Sequence, residues 1–114
     1  METKRQLQLG ELIKRNFSLV LQQEGRYIYG DILVSVTKAI ISPDLSQVKI
    51  YVSIYGTDEK EEVIQNIENH GFQLKQSLAH RIKDQIRRIP EIYYYIDDTL
   101  DEMYKVDSLL DNLK

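Results

Sequence analysis

The sequence predicts one α+β domain in which helices pack on one face of a small three-stranded sheet. Residues 48–55 alternate between apolar and polar side chains, as a strand buried on one face does, and they follow a run rich in β-branched residues at positions 32–41. The flanking segments instead carry apolar residues at helical spacing. Because 114 residues is the length of one ordinary domain, we expect residues 1–114 to form a single unit.

The first predicted helix has a single apolar face. That face comprises Leu9, Leu12, Ile13, Phe17, Val20 and Leu21, which follow the i, i+3, i+4 spacing. Gly25 lies beyond the last of them, and a glycine at that position commonly ends a helix. We therefore predict a loop over residues 25–30.

Residues 32–41 and 48–55 are predicted to be antiparallel strands joined by a turn at residues 42–46. Pro43 fixes its own φ angle, and the Asp44 carboxylate can accept a hydrogen bond from the backbone two residues further on. In the second strand, alternate side chains face the core and the outside. The core set is Val48, Ile50, Val52 and Ile54, and the outward set is Lys49, Tyr51, Ser53 and Tyr55.

A long helix is predicted to follow, with Thr57 or Asp58 as its N-cap and Pro90 as its stop. Its apolar face comprises Val63, Ile64, Ile67, Leu74, Leu78, Ile82 and Ile86. Residues 69–71 interrupt this face, so we expect the helix to kink at Gly71.

The predicted chain closes with a strand and a helix. The strand, residues 92–96, places Ile92, Tyr94 and Ile96 on one face and Tyr93 and Tyr95 on the other. Thr99 and Glu102 make the capping-box pattern. Five apolar residues follow at helical spacing: Leu100, Met103, Val106, Leu110 and Leu113.

Composition argues against catalysis, cofactors and metals. The chain has no cysteine, which excludes disulfides, thiolate metal sites and cysteine nucleophiles. His70 and His80 lack metal-ligand spacing, and no phosphate-binding glycine loop or nucleophile elbow is present. Acidic pairs at residues 61–62 and 97–98 stand at predicted helix starts, which favour negative charge, so we interpret them as helix-start residues.

No membrane segment is expected. Residues 1–10 are charged, and no apolar run approaches the roughly 20 residues that cross a bilayer. We therefore expect a cytoplasmic protein.

Charge is segregated along this acidic chain. The formal net charge is -3, yet residues 71–90 carry five cations and one anion. Residues 51–70 and 91–114 have net charges of -4 and -5 instead. A local basic surface can therefore exist on an acidic protein, and local field decides where a polyanion docks.

The cations of residues 71–90 are predicted to flank the apolar helix face. A helical projection places Lys83 and Arg87 on one side and Arg81 and Arg88 on the other, with Lys75 near the border. They form either a solvated helix face or a phosphate-binding surface. Other basic residues that would extend such a surface are Lys4, Arg5, Lys14 and Arg15.

The tyrosines of the predicted strands also have two interpretations. Tyr51, Tyr55, Tyr93 and Tyr95 either stack the bases of single-stranded RNA or pack in the core and in cross-strand aromatic pairs.

Several of these motifs together resemble the bacterial ribosome-binding factor A family. The resemblance rests on the turn at residues 42–46, its continuation over residues 48–53, and residues 87–92 leading to Asp97 and Asp98. The basic residues Lys4 and Arg5 and the closing Leu109 and Leu110 occur in the same order and spacing. The resemblance covers nearly the whole chain.

The resemblance implies a KH-like domain of type II, with the order α-β-β-α(kinked)-β-α. In that family a kink of the form Ala-x-Gly replaces the GxxG loop of KH domains. Its counterpart here is Asn69, His70 and Gly71, with asparagine in the alanine position. We also expect the basic C-terminal tail of some relatives to be missing.

The resemblance further implies a role in late maturation of the small ribosomal subunit. Family members bind the subunit or its precursor, assist 5′-end processing of its rRNA and act by binding. A ribosome-associated GTPase helps to release them, and their activity matters most in the cold. We therefore expect a monomer that binds the small subunit and its rRNA. The cations expected to contact phosphate are Lys75, Arg81, Lys83, Arg87, Arg88, Lys4 and Arg5.

Two other functions are compatible with the residues. A general KH-type RNA-binding protein would bind free single-stranded RNA with a strong dependence on salt. An acidic protein-interaction module would instead bind a basic partner and recruit a further strand to its sheet edge.

Overall fold

The computed structural model describes residues 2–97, whose elements follow the predicted order. The helices are α1 (Lys4–Tyr29), α2 (Lys60–Asn69) and α3 (Gly71–Ile82), and the strands are β1 (Leu33–Ile41), β2 (Gln47–Tyr55) and β3 (Glu91–Ile96). The α+β class and the three-stranded sheet are therefore confirmed. The predicted closing helix, from Thr99 onward, lies outside the described residues.

β2 is the central strand of the sheet. It pairs antiparallel with β1 and parallel with β3. A parallel pair requires a crossover connection, which α2 and α3 supply here. The four core side chains predicted for β2 are at most 2% exposed: Val48, Ile50, Val52 and Ile54. They pack in one core cluster with Ile13 and Phe17 of α1.

A single carboxylate organises the turn between β1 and β2. Asp44 Oδ1 accepts hydrogen bonds from Ser46 Oγ at 2.7 Å, Ser42 Oγ at 2.7 Å and the Ser46 backbone N–H at 3.0 Å. These bonds, that from the Ser46 hydroxyl first, lower the pKa of Asp44 to about 2. The predicted turn at residues 42–46 is thus confirmed.

The N-terminal end of α1 is fixed to the sheet. Thr3 Oγ1 accepts from the Gln6 backbone N–H at 3.1 Å, and Gln6 Oε1 accepts from the Thr3 backbone N–H at 2.8 Å, which makes a capping box. Gln6 Nε2 also donates to the Ile41 carbonyl oxygen at 2.9 Å. The start of α1 therefore lies against the end of β1.

The predicted loop at residues 25–30 is wrong, because α1 continues through Gly25 to Tyr29 and is capped at Gly30. The missing side chain at Gly25 makes room for the Tyr29 side chain one turn later, since a Cβ at Gly25 would overlap the Tyr29 hydroxyl. Tyr29 packs on the core from this position. Gly25 therefore serves packing, and the positive φ of 77° at Gly30 marks the end of the helix.

The long helix is divided at His70, within the predicted segment of residues 69–71. His70 has φ -101° and ψ 15°, and its backbone N–H donates to the Ile67 carbonyl oxygen at 3.1 Å. Leu74 N–H then donates to the His70 carbonyl oxygen at 3.0 Å. The break thus falls one residue before the expected Gly71, which begins α3 and has no positive φ.

The predicted N-cap of this helix is wrong. α2 begins at Lys60 with Glu59 as its N-cap, and no side chain caps it. Thr57 Oγ1 instead accepts a hydrogen bond from the Glu59 backbone N–H at 3.0 Å, ahead of the helix. Because this bond lies in the approach to the helix, Thr57 orders the loop and not the first turn.

The predicted end of the helix at Pro90 is also wrong, because α3 ends at Ile82. The Ile82 carbonyl oxygen accepts from both Gln85 N–H at 2.9 Å and Ile86 N–H at 3.1 Å, which closes a turn at this point. Ile86 and Ile89 still pack against the core, but they do so from a loop. Their spacing in the sequence is typical of a helix face, but the chain is not helical at these residues.

Two glycines with opposite surroundings give a test of this packing. A Cβ at Gly10 would lie 2.6 Å from the Ala39 carbonyl oxygen, whereas a Cβ at Gly71 would meet nothing within 4 Å. We expect Gly10→Ala to lower the free energy of unfolding by about 1–3 kcal/mol, because the methyl group pushes α1 away from β1.

Gly71→Ala is the matched control for that experiment. We expect it to be neutral or to stabilise by up to about 1 kcal/mol, because alanine favours the helix that Gly71 begins. Urea unfolding measures both variants. Equal stability of Gly10→Ala and the unmodified protein would contradict the close approach of α1 to β1.

Tyr94 gives a second test. Its ring centroid lies 5.9 Å from that of Phe17, and its hydroxyl is buried without a hydrogen-bond partner among the described residues. Burial, and next the Glu68 carboxylate, raises the pKa of Tyr94 well above its usual value. We expect Tyr94→Phe to raise the free energy of unfolding by about 1 kcal/mol, because it removes a buried unpaired hydroxyl.

The exposed Tyr95→Phe is the control and should change stability by less than about 0.5 kcal/mol. Urea unfolding again supplies the measurement. A less stable Tyr94→Phe variant would mean that the hydroxyl has a bonding partner in solution.

Candidate nucleic-acid interface

The two histidines do not belong to a cluster of possible metal ligands among the described residues. His70 and His80 are both exposed, and within residues 2–97 no group of three or more His, Cys, Asp or Glu side chains is placed to hold a metal ion. No helix in the described part of the chain has the length and apolar character to cross a membrane.

The acidic pairs have different environments. Glu61 and Glu62 lie in the first turn of α2, as expected. Asp97 follows β3 directly, and its Oδ2 accepts a hydrogen bond from Thr37 Oγ1 at 2.6 Å. Asp98 lies outside the described residues.

A groove of about 670 Å³ lies between the α2–α3 break and β3. Its lining comprises Glu68, Gly71, Phe72 and Lys75 from the helices and residues 91–95 from β3. Phe72 is 77% exposed, because it precedes Leu74 by two residues and so lies about 200° around the helix from the core face. Phe72 was not among the predicted site residues, although an aromatic residue off the apolar face is a visible signal in the sequence.

Lys75 lies in this groove and already has a partner. Its Nζ is 3.0 Å from Glu91 Oε1, in an ion pair whose side chains are 33% and 68% exposed. A partly exposed pair of this kind contributes no more than about 1 kcal/mol to stability. It does, however, balance the charge of Lys75, which makes Lys75 a weaker phosphate ligand than an unpaired cation.

Arg81 faces the other way, toward α1. Its Nε donates to Asn16 Oδ1 at 3.3 Å, and Gln73 Nε2 donates to Glu24 Oε1 at 3.1 Å. These two bonds show that α3 runs antiparallel to α1. Arg81 therefore lies beside α1 at the level of Asn16, one residue after the exposed Arg15. Lys14 lies two residues before Asn16, about 200° around the helix, and so belongs to another side of α1.

Lys83, Arg87 and Arg88 lie in the loop after α3, so their predicted placement on flanks of a helix is wrong. All three are exposed, and none forms an ion pair with another described residue. The helix ends early because the chain must turn toward β3. The three cations are therefore exposed on a loop, and they are not arranged on the sides of a helix.

The loop ends beside the hairpin turn, where α1 begins. Glu91 N–H donates to the Ser46 carbonyl oxygen at 2.9 Å, and Gln6 reaches Ile41 on the other side of the same turn. The exposed Lys4 and Arg5 start α1 at this end of the molecule. The exposed side of α1 and the loop thus carry a basic strip, defined by Lys4, Arg5, Arg15, Arg81, Lys83, Arg87 and Arg88.

The strip is cationic even after its own acids are counted. Glu2, Glu11, Glu24 and Asp84 lie in the same segments, and these four carboxylates are fewer than the cations of the strip. Six of the seven cations that the sequence suggested as phosphate ligands belong to the strip, and Lys75 in the groove is the exception.

The face of the sheet opposite the helices carries the tyrosines. The rings of Tyr51 and Tyr95 are stacked, with centroids 5.3 Å apart and planes at 26°, and Lys38 Nζ lies 5.6 Å from the Tyr51 centroid. Cross-strand aromatic pairing is therefore confirmed for Tyr51 and Tyr95. Lys38 was not among the predicted site residues, because its place opposite Tyr51 follows from the strand register.

Comparison with known proteins shows the family and the fold of this chain. The family model described as ribosome-binding factor A matches residues 5–110. The ribosome-binding factor A of Cytophaga hutchinsonii is 34% identical over 113 residues, which cover 99% of this chain and 85% of that protein.

Two structural comparisons show the same fold. The crystal structure of ribosome-binding factor A from Thermus thermophilus has a TM-score of 0.67 at 21% identity and covers 80% of this chain and 94% of that one. A Thermus thermophilus homology model fitted into a cryo-EM map of a complex with the 30S subunit has a TM-score of 0.61 at 21% identity, covering 77% and 90% of the two chains. The KH-like fold expected from the resemblance is confirmed, and the family match and the sequence identity together place this chain in the ribosome-binding factor A family.

Proposed function

We propose that this protein binds the free small ribosomal subunit or its precursor and promotes late maturation, including 5′-end processing of the small-subunit rRNA. The observation that carries the proposal is the family match over residues 5–110. The 30S complex described for the Thermus thermophilus relative supports the choice of partner. The protein acts by binding, as a cytoplasmic monomer, and performs no catalysis.

The basic strip supplies the electrostatic part of this binding. Phosphate contacts by lysine and arginine are independent of base sequence, and they position a protein on an RNA surface. Lys83, Arg87 and Arg88 are exposed and unpaired among the described residues, so no ion pair within residues 2–97 has to break before they meet phosphate. Specificity then comes from the shape of the folded rRNA.

The acidic segments limit the orientations in which RNA can dock. Residues 51–70 have a net charge of -4 and include α2, whose first turn carries Glu61 and Glu62. Like charge repels phosphate, so RNA approaching this side is disfavoured.

The proposal also covers the release of the protein from the subunit and the growth temperature at which the protein is needed. A ribosome-associated GTPase dismisses the protein from the mature subunit, and the need for the protein is greatest during growth in the cold. Both follow from the family resemblance. A strain that lacks the protein should therefore accumulate unprocessed small-subunit rRNA, and more of it at low than at high growth temperature.

Sedimentation of cell lysate through a gradient tests the main proposal. A tagged copy should travel with free small subunits at low salt, leave them at high salt and be absent from translating ribosomes. Migration as a free protein, or with a basic protein partner and no ribosomal RNA, would overturn it. The second result would favour the acidic protein-interaction module.

Neutralising two cations of the strip gives a sharper prediction. We expect Arg87→Gln with Arg88→Gln to weaken binding to purified small subunits and to reduce the slope of log K against log salt by about 2, because two phosphate contacts are lost. Titration of labelled protein with small subunits at several salt concentrations measures this slope.

A control double variant makes the same change in net charge at two residues outside the basic strip. Arg26→Gln with Lys60→Gln removes two cations at the end of α1 and the start of α2. This double variant should keep nearly the original slope. Equal effects of the two double variants would show that net charge, and not the basic strip, governs binding.

A further inference from the structure

The face of the sheet opposite the helices, here called the open face, is rich in apolar side chains. Leu33 is 61% exposed on it, and Tyr93 and Tyr95 are 46% and 42% exposed. A sheet with one face in water usually places polar side chains on that face. The strand registers add five further residues to the open face: Lys38, Ile40, Lys49, Tyr51 and Tyr55. Exposed apolar surface of this extent indicates a surface that another segment covers.

Lysines give the open face a positive charge. Lys38 Nζ lies 5.6 Å from the centroid of the Tyr51 ring, and Lys49 is the register partner of Tyr93. Neither lysine forms an ion pair with another residue in the described part of the chain. An occupant of this face should therefore combine an apolar surface with carboxylates at its sides.

The last described residue holds the chain against the open face. The Asp97 backbone N–H donates to the Val52 carbonyl oxygen at 2.7 Å, and Asp97 Oδ2 accepts from Thr37 Oγ1 at 2.6 Å. Because β1 and β3 lie on opposite sides of β2, the Asp97 carboxylate must cross β2 to reach Thr37. The core fills the helix side of β2, so the crossing takes place over the open face. The chain therefore leaves the described fold beside this face.

Residues 98–114, which lie outside the described residues, have the sequence that such an occupant requires. They contain five carboxylates and two lysines, which gives a net charge of -3. At 100° per residue, Glu102 and Asp107 lie on either side of an apolar stripe formed by Met103, Val106, Leu110 and Leu113. A helix of this length spans about 25 Å, and a strand as long as β2 spans about 30 Å, so the stripe matches the face in length.

From this complementarity we propose that residues 98–114 fold back as a helix on the open face. The apolar stripe packs on Leu33 and the tyrosine rings, and the carboxylates beside it pair with Lys38 and Lys49. This contact goes beyond the proposed function and does not depend on it, because the basic strip lies on α1 and the loop. A partner that binds the open face must first displace the segment.

A spin label on the segment tests this contact in the full chain. Since the sequence has no cysteine, Ser108→Cys supplies a single site for a nitroxide, and the helical projection places it away from the stripe. Amide NMR spectra of the ¹⁵N-labelled protein are recorded before and after ascorbate reduces the nitroxide. We expect the oxidised label to remove most of the signal of Tyr51 and Tyr93, whereas Arg15 on α1 keeps most of its signal.

Two substitutions that add the same charge test the apolar stripe. In the spin-labelled protein, Leu110→Asp places a carboxylate within the stripe and should restore the signals of the open face. Asn112→Asp adds an equal charge outside the stripe and should leave the signal loss unchanged. Lys38→Glu with Lys49→Glu should also restore the signals, because it makes the face repel the segment. The remaining amide signals of residues 2–97 confirm that each variant is folded.

A mixed sample separates this contact from one between two copies. Spin-labelled protein without ¹⁵N is mixed with ¹⁵N-labelled protein without a spin label. Loss of the open-face signals in this mixture would mean that a second copy supplies the segment, which would overturn the proposal. Equal signals of Tyr51 and Arg15 in the labelled full chain, or equal effects of Leu110→Asp and Asn112→Asp, would also overturn it. None of these results changes the expected sedimentation with small subunits.

Discussion

Burial of the central strand β2 against α1 is the constraint on which the rest of the structure depends. Val48, Ile50 and Val52 are fully buried, as is Phe17 of α1. Burying apolar side chains of this size contributes about 1.5–3 kcal/mol for each residue. Because β2 uses one face for this contact, Lys49, Tyr51 and Tyr55 remain accessible on the other face. Ser53 was predicted to face outward with them, but it is only 4% exposed. The helices α2 and α3 share the remaining core surface.

The same constraint explains how much of the fold the sequence could predict. The alternation in β2 and the apolar spacing in α1 report burial directly, and the predicted apolar faces of these two elements pack in the core. The predicted ends of α1 and α3 are wrong where a residue serves tertiary packing in a way that its local sequence pattern does not indicate. Gly25 makes room for Tyr29 inside the helix, and Ile86 and Ile89 reach the core from a loop. Local patterns cannot separate these cases, because the reason lies in tertiary packing.

The candidate binding surfaces were predictable in composition but not in arrangement. The cations of residues 71–90 are evident in the sequence, yet the structure divides them between a groove, the α1 side and a loop. The pairing of Lys75 with Glu91 could not be foreseen, because it requires the parallel placement of β3. Phe72 was overlooked for a related reason, since its exposure matters only because β3 forms the opposite wall.

The parallel pairing of β2 with β3 has a consequence for folding. β1 and β2 are joined by a tight turn and can pair early, whereas β3 has to wait until α2 and α3 have crossed the sheet. Contacts that span a long stretch of chain carry a larger loop-closure cost, so β3 is the part of the sheet expected to form last. Its backbone amides should accordingly exchange with solvent deuterium before those of β2. The edge of the groove that β3 forms is then the part of the sheet expected to open most readily.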